Sequence, residues 1–283
     1  MNEHNDRKHC IVLALIEELS QRFVENRSTE KFHIGELIRS LIQHCSRLEK
    51  QEILQSNWIA SIRDELFSLY QNRLNQELKD YVIALTAELT IKCKLDWIKL
   101  TEWKEKNSKF FFLLLKIISI EIEIILIECS RQKLEPSVVK NSSNKTTIDD
   151  DWLDERFPSC LVIYETIIET LLQQVDIENG DIDKVLKLSP EEIISSIETV
   201  NHTASRMIEY LTLLTDNPKL FNDRLSISSA IIRFICFYAS EETELFRPQI
   251  MEIIPFLKQL LKDTRSEIQL VRDQILTVIS YYE

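Results

Sequence analysis

Glycine is almost missing from this chain: Gly35 and Gly180 are the only two among 283 residues. Phosphate-cradling loops, nucleophile elbows and calcium loops use glycine where backbone turns with φ > 0 or comes close to a ligand. Neither glycine lies in such a motif, so those devices are excluded. HExxH, the P-loop, GxSxG and an EF-hand loop are all absent. The acidic run 176–183 fails the calcium pattern, because Gly180 falls fifth counted from Asp176 and no glutamate stands at the bidentate distance. No CxxC occurs either. Cys10, Cys45, Cys93, Cys129, Cys160 and Cys236 stand singly on apolar helical patterns, which reads as reduced packing residues in a reducing compartment. Positive charge is in short supply: 34 Lys and Arg against 46 Asp and Glu leave a net charge of −12. A broad nucleic-acid surface needs clustered cations, so nucleic acid is excluded as a partner, and basic tails and loops fit better.

What is present is helix former. Proline occurs only beyond residue 135, and 44% of the chain is hydrophobic. A chain of this length buries roughly three quarters of its unfolded surface when it folds. Ser189-Pro190-Glu191-Glu192 reads as an N-cap serine, proline at the first helical position and acids in the first turn. The stripe that follows is Ile193, Ile197, Val200, Ala204, Met207, Ile208 and Leu211. Similar stripes are Leu78/Val82/Leu85/Leu89 and Leu161/Tyr164/Ile168/Leu171/Val175, then Ile227/Ile231/Phe234/Phe237/Tyr238, Ile250/Ile253/Ile254/Leu257/Leu261 and Ile268/Val271/Ile275/Val278/Ile279. Residues 120–124, Ile-Glu-Ile-Glu-Ile, alternate as a strand would. No turn signal interrupts 107–134 and no partner strand pattern exists, so helix is the reading.

The run Phe110–Ile127 approaches the length of a membrane span but contains Lys116, Glu121 and Glu123. Each charge costs roughly a few kcal/mol at a bilayer centre, so a helix buried on most sides is predicted, with no membrane span. The polar first residues give no secretory signal, and a cytosolic location is expected. Without a signal, the sequons at Asn26, Asn141, Asn144 and Asn201 carry little weight.

Consecutive helices with short connections predict an all-α protein. The architecture is expected to be an armadillo/HEAT-like α-solenoid, a right-handed superhelix of stacked helices. Helical repeats are expected over 1–134 and again over 157–283, joined by an acidic, disordered loop at 135–156 that breaks all periodicity. Thr147, followed by Ile-Asp-Asp, offers an acid-directed kinase a substrate there, although an unmodified loop is the blander reading. Neither end of the array carries a polar cap, which predicts self-association through exposed apolar ends.

Chemistry-bearing residues are sparse. His4, His9 and Cys10 sit near a terminus that supplies no second shell to fix metal ligands. His33 and His44 fall on one predicted helix too far apart to share an ion, and His202 reads as surface or packing. No paired base and nucleophile emerges, so no catalytic, cofactor-binding or metal set is assigned and no enzyme is expected. Among the tryptophans, Trp58 opens the stripe Ile62, Leu66, Leu69 and reads as core, while Trp103 and Trp152 lie in polar surroundings as candidate exposed anchors. Glu241, Glu242 and Glu244 form an acidic corner ahead of a helix. They complement its N-terminus or receive a basic ligand.

The run Trp58–Leu66, with Ala84, Leu85, Ala87, Leu89 and Trp97 after it, resembles a signature of the neurochondrin family. So does Lys109–Glu128, similar to that family's long apolar helix with its alternating Val/Ile–Glu end. FPSCLVIYETIIETLL, LSPEEI and RFICFYASEETELFRPQIMEIIPFL keep the family's order, and the matches cover most of 58–261. The resemblance implies an armadillo-like, non-catalytic cytoplasmic adaptor in neurons that promotes neurite outgrowth. It implies binding to intracellular tails of G-protein-coupled receptors, notably metabotropic glutamate receptors, and restraint of phosphorylation by calcium/calmodulin-dependent kinase. Family members are more than twice this length, so the N-terminal repeats and part of the C-terminal region are expected to be missing. The alternative is a generic armadillo or HEAT scaffold for transport or complex assembly. Partner-binding residues are not assigned.

Overall fold

The computed structural model describes residues 3–45, 48–99, 104–131, 150–175, 186, 188–241 and 244–282. Among these residues there are thirteen helices and no strand, so the expected all-α class is observed. The first five are α1 (Glu3–Glu25), α2 (Glu30–His44), α3 (Lys50–Gln55), α4 (Asn57–Gln71) and α5 (Gln76–Cys93). The three longest follow as α6 (Lys104–Arg131), α7 (Asp150–Val175) and α8 (Pro190–Thr215). The last five are α9 (Pro218–Asp223), α10 (Leu225–Glu241), α11 (Arg247–Leu260), α12 (Ser266–Gln269) and α13 (Arg272–Tyr282). Residues 120–124 lie inside α6: with no turn residue to stop it, one ladder of intrahelical bonds runs through the alternating segment. Of the loop expected at 135–156, residues through 149, Thr147 included, lie outside the described ones, and 150–156 open α7.

Two compact units emerge, Met1–Ile118 with Val162–Ser196, and Ser119–Leu161 with Ile197–Glu283. In the first, α1 packs on α2 and α4, and α2, α3 and α4 pack on α5. Trp58, Ile62 and Leu66 of α4 are buried as their spacing predicts. Lys31 of α2 is nearly buried against Glu65 of α4, with its ammonium 5.7 Å over the Phe23 ring, so the charge keeps both an anion and a π-face. Asn75 caps α5 by accepting from the Leu78 amide at 2.9 Å. The Tyr70 hydroxyl donates to Thr86 Oγ1 at 2.9 Å, and that hydroxyl donates on to the Val82 carbonyl at 2.8 Å. After α5 the chain turns through Lys94 at φ 54°, ψ −142°, the one non-glycine positive φ among the described residues. It then buries Leu95, Trp97 and Ile98.

Gly35 explains its own presence. A Cβ there would stand 3.1 Å from Phe23 Cε2 and 3.8 Å from Leu85 Cδ2, so glycine lets α2 approach α1 and α5 closely. Gly35→Val is expected to destabilise the chain by about 1–3 kcal/mol through overpacking, in spite of valine's better helix propensity. Urea unfolding followed by circular dichroism measures this, and an unchanged midpoint would contradict the packing argument.

In the second unit α10 packs on α9, α12 and α13, and α11 packs on α13. The stripe Ile268/Val271/Ile275/Val278/Ile279 is buried as expected, but it belongs to two helices rather than one. The chain breaks step at Leu270, which is 80% exposed, between α12 and α13. In α11 Leu260 is buried where the stripe expected Leu261. Arg265 ties this end together: it chelates Asp263, donates to Asn222 Oδ1 at 2.7 Å and lies 5.2 Å over the Phe221 ring. The Phe234 and Tyr238 rings stack 5.9 Å apart at 9°. Tyr282 donates to the Ala239 carbonyl at 3.3 Å, holding α13 to α10.

The start of α8 forms as its sequence reads. Ser189 Oγ accepts from the Glu192 amide at 3.2 Å, and the Glu192 carboxylate accepts from the Ser189 amide at 2.8 Å, a reciprocal capping box. Val200, Ala204, Met207, Ile208 and Leu211 are buried, whereas Ile197 is partly exposed.

Candidate functional site

Helix α6 supplies the clearest surface for recognition. Its last four turns carry Ile122, Ile125 and Cys129 at spacings of three and four, and all three are fully buried. Helical pitch then turns Ile120, Ile124 and Ile127 to the opposite side, where they are 55%, 36% and 37% exposed. Helical pitch therefore cuts across the alternation: Ile122 is buried, yet Ile120 faces out while Glu121 faces in. Glu121 tolerates this because Arg156 of α7 meets its carboxylate, both side chains being 2% exposed. Glu123 borders the isoleucines and lies 3.5 Å from His202 Nε2 of α8. The result is an apolar stripe with an acidic edge. The helix predicted to be buried on most sides is thus buried on one side in its last turns and open on the other. The three-four spacing of the buried residues was the available signal.

Most residues singled out from the sequence go elsewhere. Trp58 and Trp97 are core. Trp103 and the side chain of Trp152 lie outside the described residues, as do Glu242 and the side chain of Glu241. Glu244 is exposed and accepts from Arg247 Nη1 at 3.3 Å, just ahead of α11. His33 stands edge-on to Tyr81 at 6.1 Å, and His44 Nδ1 donates to the Ser40 carbonyl at 2.8 Å. His202 is exposed apart from its approach to Glu123. The side chain of His4 and the acidic run around Gly180 are outside the described residues. Among those described, no three His, Cys, Asp or Glu side chains converge as metal ligands.

The cysteines divide. Cys93, Cys129, Cys160 and Cys236 are buried as expected of packing residues, but Cys10 is exposed on α1 and Cys45 is intermediate. The packing expectation fails for Cys10 because its position on α1 lies off the face that carries Ile16 and Phe23. Burial pushes the Cys93 thiol up to about 11 and the Cys236 thiol up to about 12, which leaves them protonated and unreactive at neutral pH. Burial likewise raises the Glu88 carboxyl of α5, with Lys92, Arg39 and His44 pulling it partway back.

The described residues define an all-helical protein, with an exposed apolar stripe on α6. No helix among the described residues is long and apolar enough to cross a membrane. The neurochondrin family profile matches residues 3–277, and the chain belongs to that family. It is 24% identical over 247 residues to the neurochondrin of Gallus gallus, covering 87% of this chain and 30% of that protein. The chain therefore spans less than a third of the length of that relative. No solved structure matches it.

Proposed function

We propose that this chain is a non-catalytic cytoplasmic adaptor of the neurochondrin type, its helices stacked as an armadillo-like solenoid. It takes basic, partly apolar segments such as the intracellular tails of metabotropic glutamate receptors, in support of neurite outgrowth. The observation that carries this reading is the exposed stripe Ile120/Ile124/Ile127 with Glu123 on its border. Exposed isoleucines one turn apart offer apolar anchorage. The acidic edge and a net charge of −12 favour a cationic partner and raise its association rate. Family membership supports the adaptor reading over a general scaffold.

The test is a binding isotherm against a peptide of the basic juxtamembrane receptor tail at low and physiological salt. Wild-type binding is expected to be saturable and to weaken, but survive, as salt rises. Ile124→Asp is expected to weaken it about tenfold, near 1.4 kcal/mol, with little change in thermal stability because the side chain is exposed. Equal binding by Ile124→Asp would remove the stripe from the site, and no binding by a folded wild-type chain would overturn the receptor-tail reading.

A further inference from the structure

Three residues far apart in sequence meet where α1, α2 and α3 come together. Cys45 ends α2, His9 lies on α1 and Glu52 on α3. Cys45 Sγ is 3.9 Å from His9 Nδ1, and His9 Nε2 is 2.7 Å from Glu52 Oε1. An ionised carboxylate only accepts, so Nε2 carries the ring proton and Nδ1 presents its lone pair to the thiol. A nucleophile, a base in reach of it and a third group orienting the base together make the general signature of an activated nucleophile.

We propose that Cys45 is a nucleophilic thiol, activated by His9 with Glu52 as its positioning residue, and a site of exchange with low-molecular-weight disulfides. The backbone holds Cys45 in place: its amide donates to the Leu41 carbonyl at 3.0 Å and its carbonyl accepts from the Leu48 amide at 3.1 Å. The C-terminal end of α2 presents carbonyl oxygens, which disfavour a thiolate, so stabilisation of the negative sulfur falls to the imidazolium. Cys45 itself is partly exposed, so a small disulfide can reach it. In the exchange, the Sγ proton moves to Nδ1 and the thiolate attacks one sulfur of the small disulfide. An Sγ–S bond forms as the old S–S bond breaks, and the departing thiolate takes the electron pair and then the proton from the imidazolium. One thiol and one disulfide are consumed, and one mixed disulfide and one thiol are produced.

Cys10 serves as an internal control, because it is exposed and accessibility alone would make it react first. The full chain is treated with oxidised glutathione at neutral pH, quenched by alkylation at intervals, and each cysteine is followed by peptide mass spectrometry. Cys45 is expected to form the mixed disulfide at least about tenfold faster than Cys10, and His9→Asn to slow Cys45 by a similar factor. Glu52→Gln, at a half-exposed position, is expected to slow Cys45 less while leaving the helical spectrum intact. Faster modification of Cys10 than of Cys45, or a Cys45 rate that neither variant changes, would overturn the proposal.

Discussion

Arg156→Met alone is expected to destabilise the chain by about 3–5 kcal/mol, because it leaves the Glu121 carboxylate buried without that guanidinium. The double change Glu121→Leu with Arg156→Met is expected to recover most of the loss. Burying two charges carries a desolvation cost that their attraction offsets only when both are present, and an apolar pair of similar volume carries no such cost. Ile122 and Ile125 of α6 and Phe157 of α7 are fully buried nearby in sequence, so replacement side chains enter apolar surroundings. Guanidinium unfolding of the two single variants and the double variant forms a cycle that isolates the pair. If the double variant is no more stable than Arg156→Met, the buried charges are not the source of the loss.

Trp97→Ala is expected to cost about 3–5 kcal/mol, whereas Trp97→Phe should cost far less. Trp97 is fully buried, with Phe110 edge-on at 5.7 Å, so truncation to alanine opens a large cavity among rings that cannot collapse into it. The indole Nε1 has no hydrogen-bond partner among the described residues. Phenylalanine keeps most of the ring volume and removes that unsatisfied N–H, so the two effects oppose one another. Equal losses for the two variants, read from denaturant midpoints, would mean that ring volume is not what the site requires.

The fold was legible because most helices announce themselves by spacing or by a cap. Ser189-Pro190-Glu191-Glu192 gave a helix start that forms with its reciprocal hydrogen bonds, and Trp58, Ile62 and Leu66 gave a buried face. Periodicity says less about interruptions. The 268–279 stripe keeps its three-four spacing across the break at Leu270, so pattern alone could not separate α12 from α13. The candidate site was harder still. Glu121 in the core depends on Arg156, which lies 35 residues away on another helix, and hydrophobicity read along one segment cannot supply that partner. The thiol site is the extreme case: His9 lies 36 residues from Cys45 and 43 from Glu52, and only helix packing makes them neighbours.

The corner after α5 shows how a chain with so little glycine manages a turn that glycine would ease. Lys94 holds φ 54° and ψ −142°, a conformation that costs a side-chain-bearing residue on the order of 1–3 kcal/mol. Its ammonium pair with Glu169 at 2.9 Å is exposed and weak, but its amide closes the end of α5 by donating to the Thr90 carbonyl at 2.8 Å. Immediately downstream, Leu95, Trp97 and Ile98 are fully buried. The unfavourable backbone at Lys94 thus precedes a fully buried indole, and the burial of Leu95, Trp97 and Ile98 outweighs its cost.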